Sequence, residues 1–342
     1  MPCKVIITRD FDHASEVSAR YVAHDIRSVL AKREEYNIGL ATGMSPSGLY
    51  KDLAKTANGG TFDSSRIRSF NLDEYIGLPG ENPQQRALHP ESYSFFMIQE
   101  LFGLLQKKFR ETNVPWGCLI DQDKFIAELK ANPGDWTEQG KDKGRSIVIK
   151  ADAKSEYLRW VRREILDAYE AKIKRMGGID LHIVGVGGRG HVGFHEAGIP
   201  FAGSRVLIVK LDDNTIQNAV TDGHFRRVEE SPRYAVSMGS ELIYEARKVL
   251  LIAMGKRKAE PVATSLAQDP TDAVPISYGQ VFAKRGGEMI YVIDREAAAG
   301  VLEQMAAIKA RGVQIEDLSS GVAARRVEDL KFFRNPQTGL MG

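Results

Sequence analysis

The sequence has few cysteines, no long apolar run and no excess of charge of either sign. Its two cysteines, Cys3 and Cys118, are far apart and lack metal-site spacing, so they predict a reducing compartment without disulfide bonds. No apolar stretch approaches the roughly 18 residues that a membrane-spanning helix needs. Residues 1–20 mix charged side chains into short apolar runs, which argues against a signal peptide.

The charges nearly cancel, with 47 Lys and Arg against 45 Asp and Glu in 342 residues. This balance does not supply the bulk attraction on which binding to nucleic acids and membrane surfaces depends. We therefore expect a cytoplasmic protein with neither of these partners. The length allows one large α/β domain or two smaller ones.

Short apolar runs alternate with longer amphipathic stretches. The predicted strands cover residues 4–8, 37–42, 66–72, 180–186, 205–211, 248–254 and 288–293. The predicted helices cover residues 13–33, 46–57, 90–109, 153–175, 256–267 and 295–311. This alternation predicts an α/β fold: a mostly parallel sheet with helices on both faces and functional residues at the carboxyl ends of the strands.

Two regions differ from this pattern. Residues 111–150 are polar, contain several Pro and Gly residues and show little periodicity, which predicts an insertion. Residues 312–342 form a C-terminal extension that is either a docked arm or partly disordered. We expect a single domain over residues 1–311, with the insertion inside it and the extension after it.

A glycine-dense segment follows the strand predicted over 180–186 and contains His191 and Glu196. A histidine paired with a carboxylate suits proton transfer near neutral pH, although a lone histidine in a turn is more often structural. A zinc site is disfavoured, because His191, His195 and Glu196 lack the helical spacing of zinc proteases. No metal is therefore expected.

The same segment imitates a dinucleotide-binding fingerprint. Gly185, Gly187 and Gly190 have the required spacing, and Asp212 follows about 20 residues later, as that motif asks. The fingerprint requires a helix that opens at the third glycine. The residues that would interrupt such a helix are Gly193, Gly198, Pro200 and Gly203. The sequence therefore disfavours a nicotinamide cofactor.

Thr42, Gly43 and Ser45 lie between a predicted strand and a helix that starts near Pro46. Hydroxyls and free amides at a helix N-terminus can bind an anion such as phosphate. The alternative is an ordinary helix start with Ser45 as the N-cap.

Asp73 and Glu74 are adjacent carboxylates at the end of the strand predicted over 66–72. Successive strand residues face opposite sides, so we expect one of the two in a cleft. An aspartate there can act as a general base, or it can cap a turn.

Lys256, Arg257 and Lys258 follow Gly255 at a predicted helix start. Cations at this end of a helix oppose its dipole and need an anion or solvent. A bound phosphate would satisfy Lys258, whereas for Lys256 and Arg257 the sequence favours a solvated basic turn.

Together these segments resemble the glucosamine-6-phosphate deaminase/isomerase family over roughly residues 1–300. The motifs that carry the resemblance are Thr42-Gly43-x-Ser45-Pro46, Phe70-Asn71-Leu72-Asp73-Glu74-Tyr75, His89-Pro90-Glu91-Ser92-Tyr93-Ser94-Phe95, Gly185-Val186-Gly187 with Gly190-His191-Val192-Gly193-Phe194-x-Glu196, and Gly255-x-x-Lys258. The resemblance implies a Rossmann-like sheet and conversion of an aldose 2-amino-6-phosphate to a ketose 6-phosphate and ammonia. It implies no redox cofactor, a phosphosugar substrate and a homo-oligomer.

The resemblance also implies roles for individual residues. Asp73 resembles the base that moves a proton between C2 and C1 of the sugar. His191 resembles the group that opens the sugar ring, with Glu196 as its carboxylate partner. The residues that resemble the phosphate site are Thr42, Gly43, Ser45 and Lys258.

Three positions depart from the family pattern. Arg189 stands where the family has Asp or Asn, and His195-Glu196-Ala197 stands where it has Asn-Glu-Pro. A phosphate-binding arginine of the family falls near residues 218–219, which are Asn and Ala here. Arg189 suggests an altered substrate with an acidic group near C1, which the guanidinium would bind; a solvent-facing Arg189 is the alternative.

Two other functions stay open at this stage. A hydrolase like 6-phosphogluconolactonase shares the Gly-His loop but usually lacks the motifs around Asp73 and Tyr93. A non-catalytic sugar-phosphate sensor would have no need of a base such as Asp73 or of the His191–Glu196 pair. The sequence therefore favours the deaminase.

Overall fold

The computed structural model describes residues 3–213, 216–217, 220 and 225–320. The strands in this part of the chain are β1 (Cys3–Thr8), β2 (Tyr36–Leu40), β3 (Ile67–Asn71), β4 (Asp73–Ile76), β5 (Glu111–Asn113), β6 (Trp136–Gln139), β7 (Arg145–Ile149), β8 (Leu181–Val184), β9 (Val206–Lys210), β10 (Tyr234–Met238), β11 (Lys248–Ala253), β12 (Glu288–Asp294) and β13 (Gln314–Asp317). The α-helices are Phe11–Leu30, Met44–Asn58, Pro83–Ala87, Tyr93–Met97, Gln122–Ala131, Glu156–Trp160, Ala168–Arg175, Ser240–Ile243, Ala259–Ala267, Gly279–Lys284, Ala299–Glu303 and Met305–Ala310. Wider π-helical turns, Ile98–Phe102 and Val161–Asp167, continue two of them.

The main sheet has eight strands in the order β13-β1-β12-β11-β8-β2-β3-β5. Every neighbouring pair in it is parallel. Side chains of β1 alternate between its two faces, with Val5 and Ile7 in one apolar cluster and Ile6 in the other. Helices cover both faces, so the predicted α/β architecture is confirmed.

The first two long helices bury one face of the main sheet, and later helices bury the other. Phe11–Leu30 and Met44–Asn58 pack with Ile6 in one cluster. Glu156–Trp160 and Ala259–Ala267 belong to the cluster on the opposite face. A parallel sheet of this kind needs helices on both faces, because its strands have no polar face to turn towards solvent.

A second sheet, which the sequence did not predict, has five antiparallel strands in the order β4-β10-β9-β7-β6. β9 was predicted as a strand, but it belongs to this sheet. Leu72 alone separates β3 from β4, so the chain passes directly from the main sheet into the second one. Asp73 is the first residue beyond that crossing.

The two regions that were predicted as additions contribute strands to the sheets. Residues 111–150 supply β5 to the main sheet and β6 and β7 to the second. From the predicted extension, β13 pairs with β1, and residues 321–342 lie outside the described part. Within the described ranges, no helix has both the length and the apolar character needed to cross a membrane.

Candidate active site

A cavity of about 310 Å³ lies at the carboxyl ends of four neighbouring strands, β11, β8, β2 and β3. Each strand is followed by a residue on the cavity wall: Lys258, His191, Thr42 and Asp73, respectively. Parallel strands bring their carboxyl ends to one edge of a sheet, and ligands bind in the crevice there. The strand order therefore brings together residues that are far apart in the sequence.

Asp73 is a buried carboxylate on the cavity wall. The residue is 4% exposed, and its Oδ1 accepts no hydrogen bond from any described residue. Burial raises the pKa of Asp73 well above its ordinary value; the neighbouring Glu74 carboxylate raises it further, and a hydrogen bond from Thr42 lowers it. A raised pKa makes the ionised carboxylate a stronger base, which suits proton abstraction from carbon.

His191 and Glu196 pair within the glycine-rich loop after β8. His191 Nδ1 lies 3.0 Å from Glu196 Oε2, and the Glu196 side chain is 1% exposed. A Cβ at Gly187 would lie only 1.9 Å from His191 Nε2, so the histidine ring packs directly on the glycine backbone. The buried carboxylate and the glycine together fix the orientation of the ring, and only glycine fits at that position.

His195 has a structural role. Its Nδ1 accepts a hydrogen bond from the Ser240 N–H at 3.0 Å, and its Nε2 lies 3.1 Å from the Ile199 carbonyl oxygen. Because Nδ1 accepts, Nε2 carries the proton and donates it. Burial lowers the pKa of His195 to about 4, so the ring is neutral and joins the loop to the helix Ser240–Ile243.

Two cofactor hypotheses can be compared with this geometry. The loop after Gly190 forms turns, with no helix between residues 187 and 200, so the context of the dinucleotide fingerprint is lacking there. Across the described residues, no group of three His, Cys, Asp or Glu side chains is arranged to hold a metal ion.

Glu74 faces away from Asp73 and anchors a second part of the wall. Its Oε1 accepts from the Tyr93 N–H at 3.0 Å, and its Oε2 accepts from the N–H and Oγ of Ser94, both at 2.9 Å. Burial raises the pKa of Glu74 to about 7, although these donors lower it. Glu74 therefore holds Tyr93 at the cavity, where its ring stacks on Phe194 at 5.8 Å.

Another part of the cavity wall is polar and basic. Thr42, Gly43 and Ser45 line it at the start of helix Met44–Asn58, together with Lys258. Ser45 does not cap this helix: Gly43 occupies the N-cap position and no side chain caps the first turn. The first amides are thus without a side-chain cap at the wall, a favourable arrangement for an anion.

Arg189 is not among the described residues that line the cavity. Its guanidinium instead lies 3.0 Å from Asp212 Oδ2, and its side chain is 44% exposed. This position agrees with the solvent-facing alternative and gives no support to contact with an acidic group at C1. The ion pair links the loop after β8 to the segment after β9.

Sequence reasoning missed several residues on the wall, among them Tyr93, Phe194 and Arg257. Tyr93 and Phe194 lie inside motifs that had been singled out, but nothing in their spacing indicates that they stack. Arg257 was interpreted as part of a solvated turn. The neighbouring Lys258 was the available signal, because a tight turn can present successive residues to one ligand.

Comparison with known proteins places these observations in context. No protein-family model matches the chain. The glucosamine-6-phosphate deaminase of Clostridium perfringens (strain ATCC 13124) is 31% identical over 295 residues, which is 86% of this chain and 98% of that protein. That of Thermoanaerobacter sp. (strain X514) is 32% identical over 296 residues, 86% of this chain and 94% of that protein.

Solved structures agree with this similarity. A monomeric glucosamine-6-phosphate deaminase of the NagB superfamily superposes with a TM-score of 0.63 at 25% identity, covering 86% of this chain and 99% of that one. The 6-phosphogluconolactonase of Trypanosoma cruzi has a TM-score of 0.56 at 20% identity, covering 86% and 96% of the two chains. At that identity the lactonase shares the fold alone.

Proposed function

The chain belongs to the glucosamine-6-phosphate deaminase family, and from this premise we propose that it converts glucosamine 6-phosphate and water into a ketose 6-phosphate and ammonia. The observation that carries the proposal is that Asp73, His191 and Lys258 line one cavity. The reaction needs a base next to C2, an acid–base group at the ring oxygen and a cation for the phosphate. One side chain of each kind is available.

His191 opens the sugar ring in this proposal. It takes the proton from the anomeric hydroxyl and returns a proton to the ring oxygen, which gives the open-chain aldehyde. The carboxylate of Glu196, 3.0 Å from Nδ1, stabilises the imidazolium that forms between these two transfers.

Asp73 then moves a proton from C2 to C1. Abstraction at C2, next to the aldehyde, gives an enol amine, and return of the proton to C1 gives the imine at C2. Water adds to this imine and ammonia leaves, so that a ketone remains at C2. The raised pKa of Asp73 favours the first step, because the proton on carbon is held tightly.

The phosphate is held by the polar and basic part of the cavity wall. Lys258 supplies a positive charge, and the first amides of helix Met44–Asn58 supply donors, with Thr42 and Ser45 beside them. Binding energy from a group that does not react positions C1 and C2 for the chemistry.

The experiment compares two substrates. With glucosamine 6-phosphate we expect ammonia and ketose phosphate in equal amounts, and with 6-phosphogluconolactone no hydrolysis above the spontaneous rate. Lactone hydrolysis without ammonia release would replace the proposal with the lactonase alternative. Binding of glucosamine 6-phosphate without turnover would favour the sensor.

We also propose a cytoplasmic location without nucleic-acid or membrane partners, which the near balance of charges supports. The homo-oligomer stays a prediction, and the similar solved deaminase is described as monomeric. Light scattering on the purified chain decides between a single copy and an assembly.

A further inference from the structure

Arg257 and Lys258 are two consecutive cations on the wall of the cavity. Arg257 is exposed, and within the described part of the chain no carboxylate pairs with it. Lys256, the first residue of the same basic turn, does not line the cavity. Two of the three basic residues of the turn therefore lie on the cavity wall.

The backbone of this turn is fixed by a buried carboxylate. Gly255 donates its N–H to both carboxylate oxygens of Asp294, each at 3.1 Å, and Asp294 is 2% exposed. Asp294 also accepts from the Ala297 N–H at 2.8 Å. The turn Lys256–Lys258 then leads directly into helix Ala259–Ala267. Arg257 is thus presented from a rigid base.

The position is electrostatically unfavourable, and either solvent or a bound anion offsets the cost. Three cations at the N-terminus of a helix oppose the positive end of its dipole. A phosphate monoester carries about −1.5 to −2 charges near pH 7, which exceeds what Lys258 alone can neutralise. Arg257, a second cation on the same wall, supplies the remaining positive charge.

We propose that Arg257 binds the substrate phosphate together with Lys258 and makes the site selective for a dianion. The guanidinium presents N–H donors in a fixed fork that can bind two phosphate oxygens, whereas Lys258 acts as a point charge. This inference rests on the proposed function, since it assigns a binding residue to the same cavity.

The test is Arg257→Gln, with Lys256→Gln as the matched control. Both variants lose one positive charge from the same exposed turn, but only Arg257 lines the cavity. Two quantities are measured: KM and kcat for glucosamine 6-phosphate, and the Kd of inorganic phosphate by calorimetry. A lost hydrogen bond to a charged group corresponds to roughly 10- to 150-fold in affinity.

We expect Arg257→Gln to raise KM and the phosphate Kd by about this factor while kcat changes little. Arg257→Lys should recover part of the affinity, and Lys256→Gln should have a small effect. Equal increases in KM and in the phosphate Kd for Arg257→Gln and Lys256→Gln would overturn the inference. They would show that only the long-range effect of the lost charge matters. Unchanged KM and Kd, or a loss confined to kcat, would overturn it too.

The two readouts separate this inference from the proposed function. Phosphate binding does not depend on turnover, so an inactive protein whose phosphate Kd depends on Arg257 would refute the deaminase while retaining the phosphate contact. If the protein is an active deaminase and neither KM nor the phosphate Kd changes in Arg257→Gln, the proposed function stands and the phosphate contact of Arg257 is refuted.

Discussion

His195 should make the folded protein sensitive to acid, because its ring is held in the neutral form. Protonation would place a second N–H against the Ser240 N–H, which already donates to Nδ1. Burial lowers the pKa of His195 from 6.5 to about 4, so the unfolded chain binds this proton more tightly than the folded chain. The stabilisation is therefore complete above pH 6.5 and is lost as the pH falls towards 4.

The size of this effect follows from the two pKa values. Each tenfold change in proton binding is worth about 1.4 kcal/mol, so the free energy of unfolding should fall by about 3 kcal/mol through this group. His195→Gln removes the titrating ring and retains an acceptor and a donor. Between pH 7 and pH 4, the free energy of unfolding should fall by about 3 kcal/mol less in the variant than in the wild type.

Urea denaturation at each pH, followed by fluorescence, gives the two curves. His24→Gln is the matched control, since it makes the same replacement at an exposed position of helix Phe11–Leu30. The reasoning is refuted when wild type and His195→Gln lose stability in parallel as the pH falls. Parallel loss would mean that the folded protein accepts the proton as readily as the unfolded chain.

Two further substitutions test the loop that carries the His191–Glu196 pair. Glu196→Gln keeps a hydrogen bond to His191 but removes the charge of the carboxylate. In steady-state ammonia assays kcat/KM should therefore fall by roughly 10- to 150-fold. An unchanged kcat/KM would contradict a role for the pairing. Gly193→Ala places a Cβ 2.9 Å from Ser237 Oγ and 3.2 Å from Asp73 Oδ2 at φ +55°. We expect both lower stability and about tenfold lower kcat/KM. Gly203→Ala, at φ +79° with nothing within 4 Å of its Cβ, should cost stability alone; equal activity loss in both would show that only backbone strain matters.

Six strands of the main sheet could be predicted from the sequence because they are buried on both faces, whereas the edge strands β5 and β13 are more exposed and were missed. Runs such as residues 248–254 and 288–293 are almost continuously apolar, and the observed β11 and β12 differ from them by a single residue. Two strands of the second sheet were missed because of their residue types and short length. β4 and β6 are four residues long and carry charged or polar side chains, so they lack the pattern of a buried strand.

The wall of the cavity was only partly predictable. Thr42, Asp73 and His191 each follow an apolar strand, and that signal is local. The wall positions of Arg257 and Tyr93 depend on strand order and on the contact of Glu74 with helix Tyr93–Met97, neither of which has a sequence pattern. The wall positions of Arg257 and Tyr93 therefore depend on contacts between residues that are far apart in the sequence.

The central claim is that Asp73 carries a proton between C2 and C1 of an amino-sugar phosphate. The most direct measurement compares wild type and Asp73→Asn for ammonia release from glucosamine 6-phosphate, with and without deuterium at C2. We predict slower turnover of the deuterated substrate by the wild type and a loss of about 10²- to 10⁴-fold in the variant, with unchanged phosphate affinity. Near wild-type turnover by folded Asp73→Asn would contradict the account.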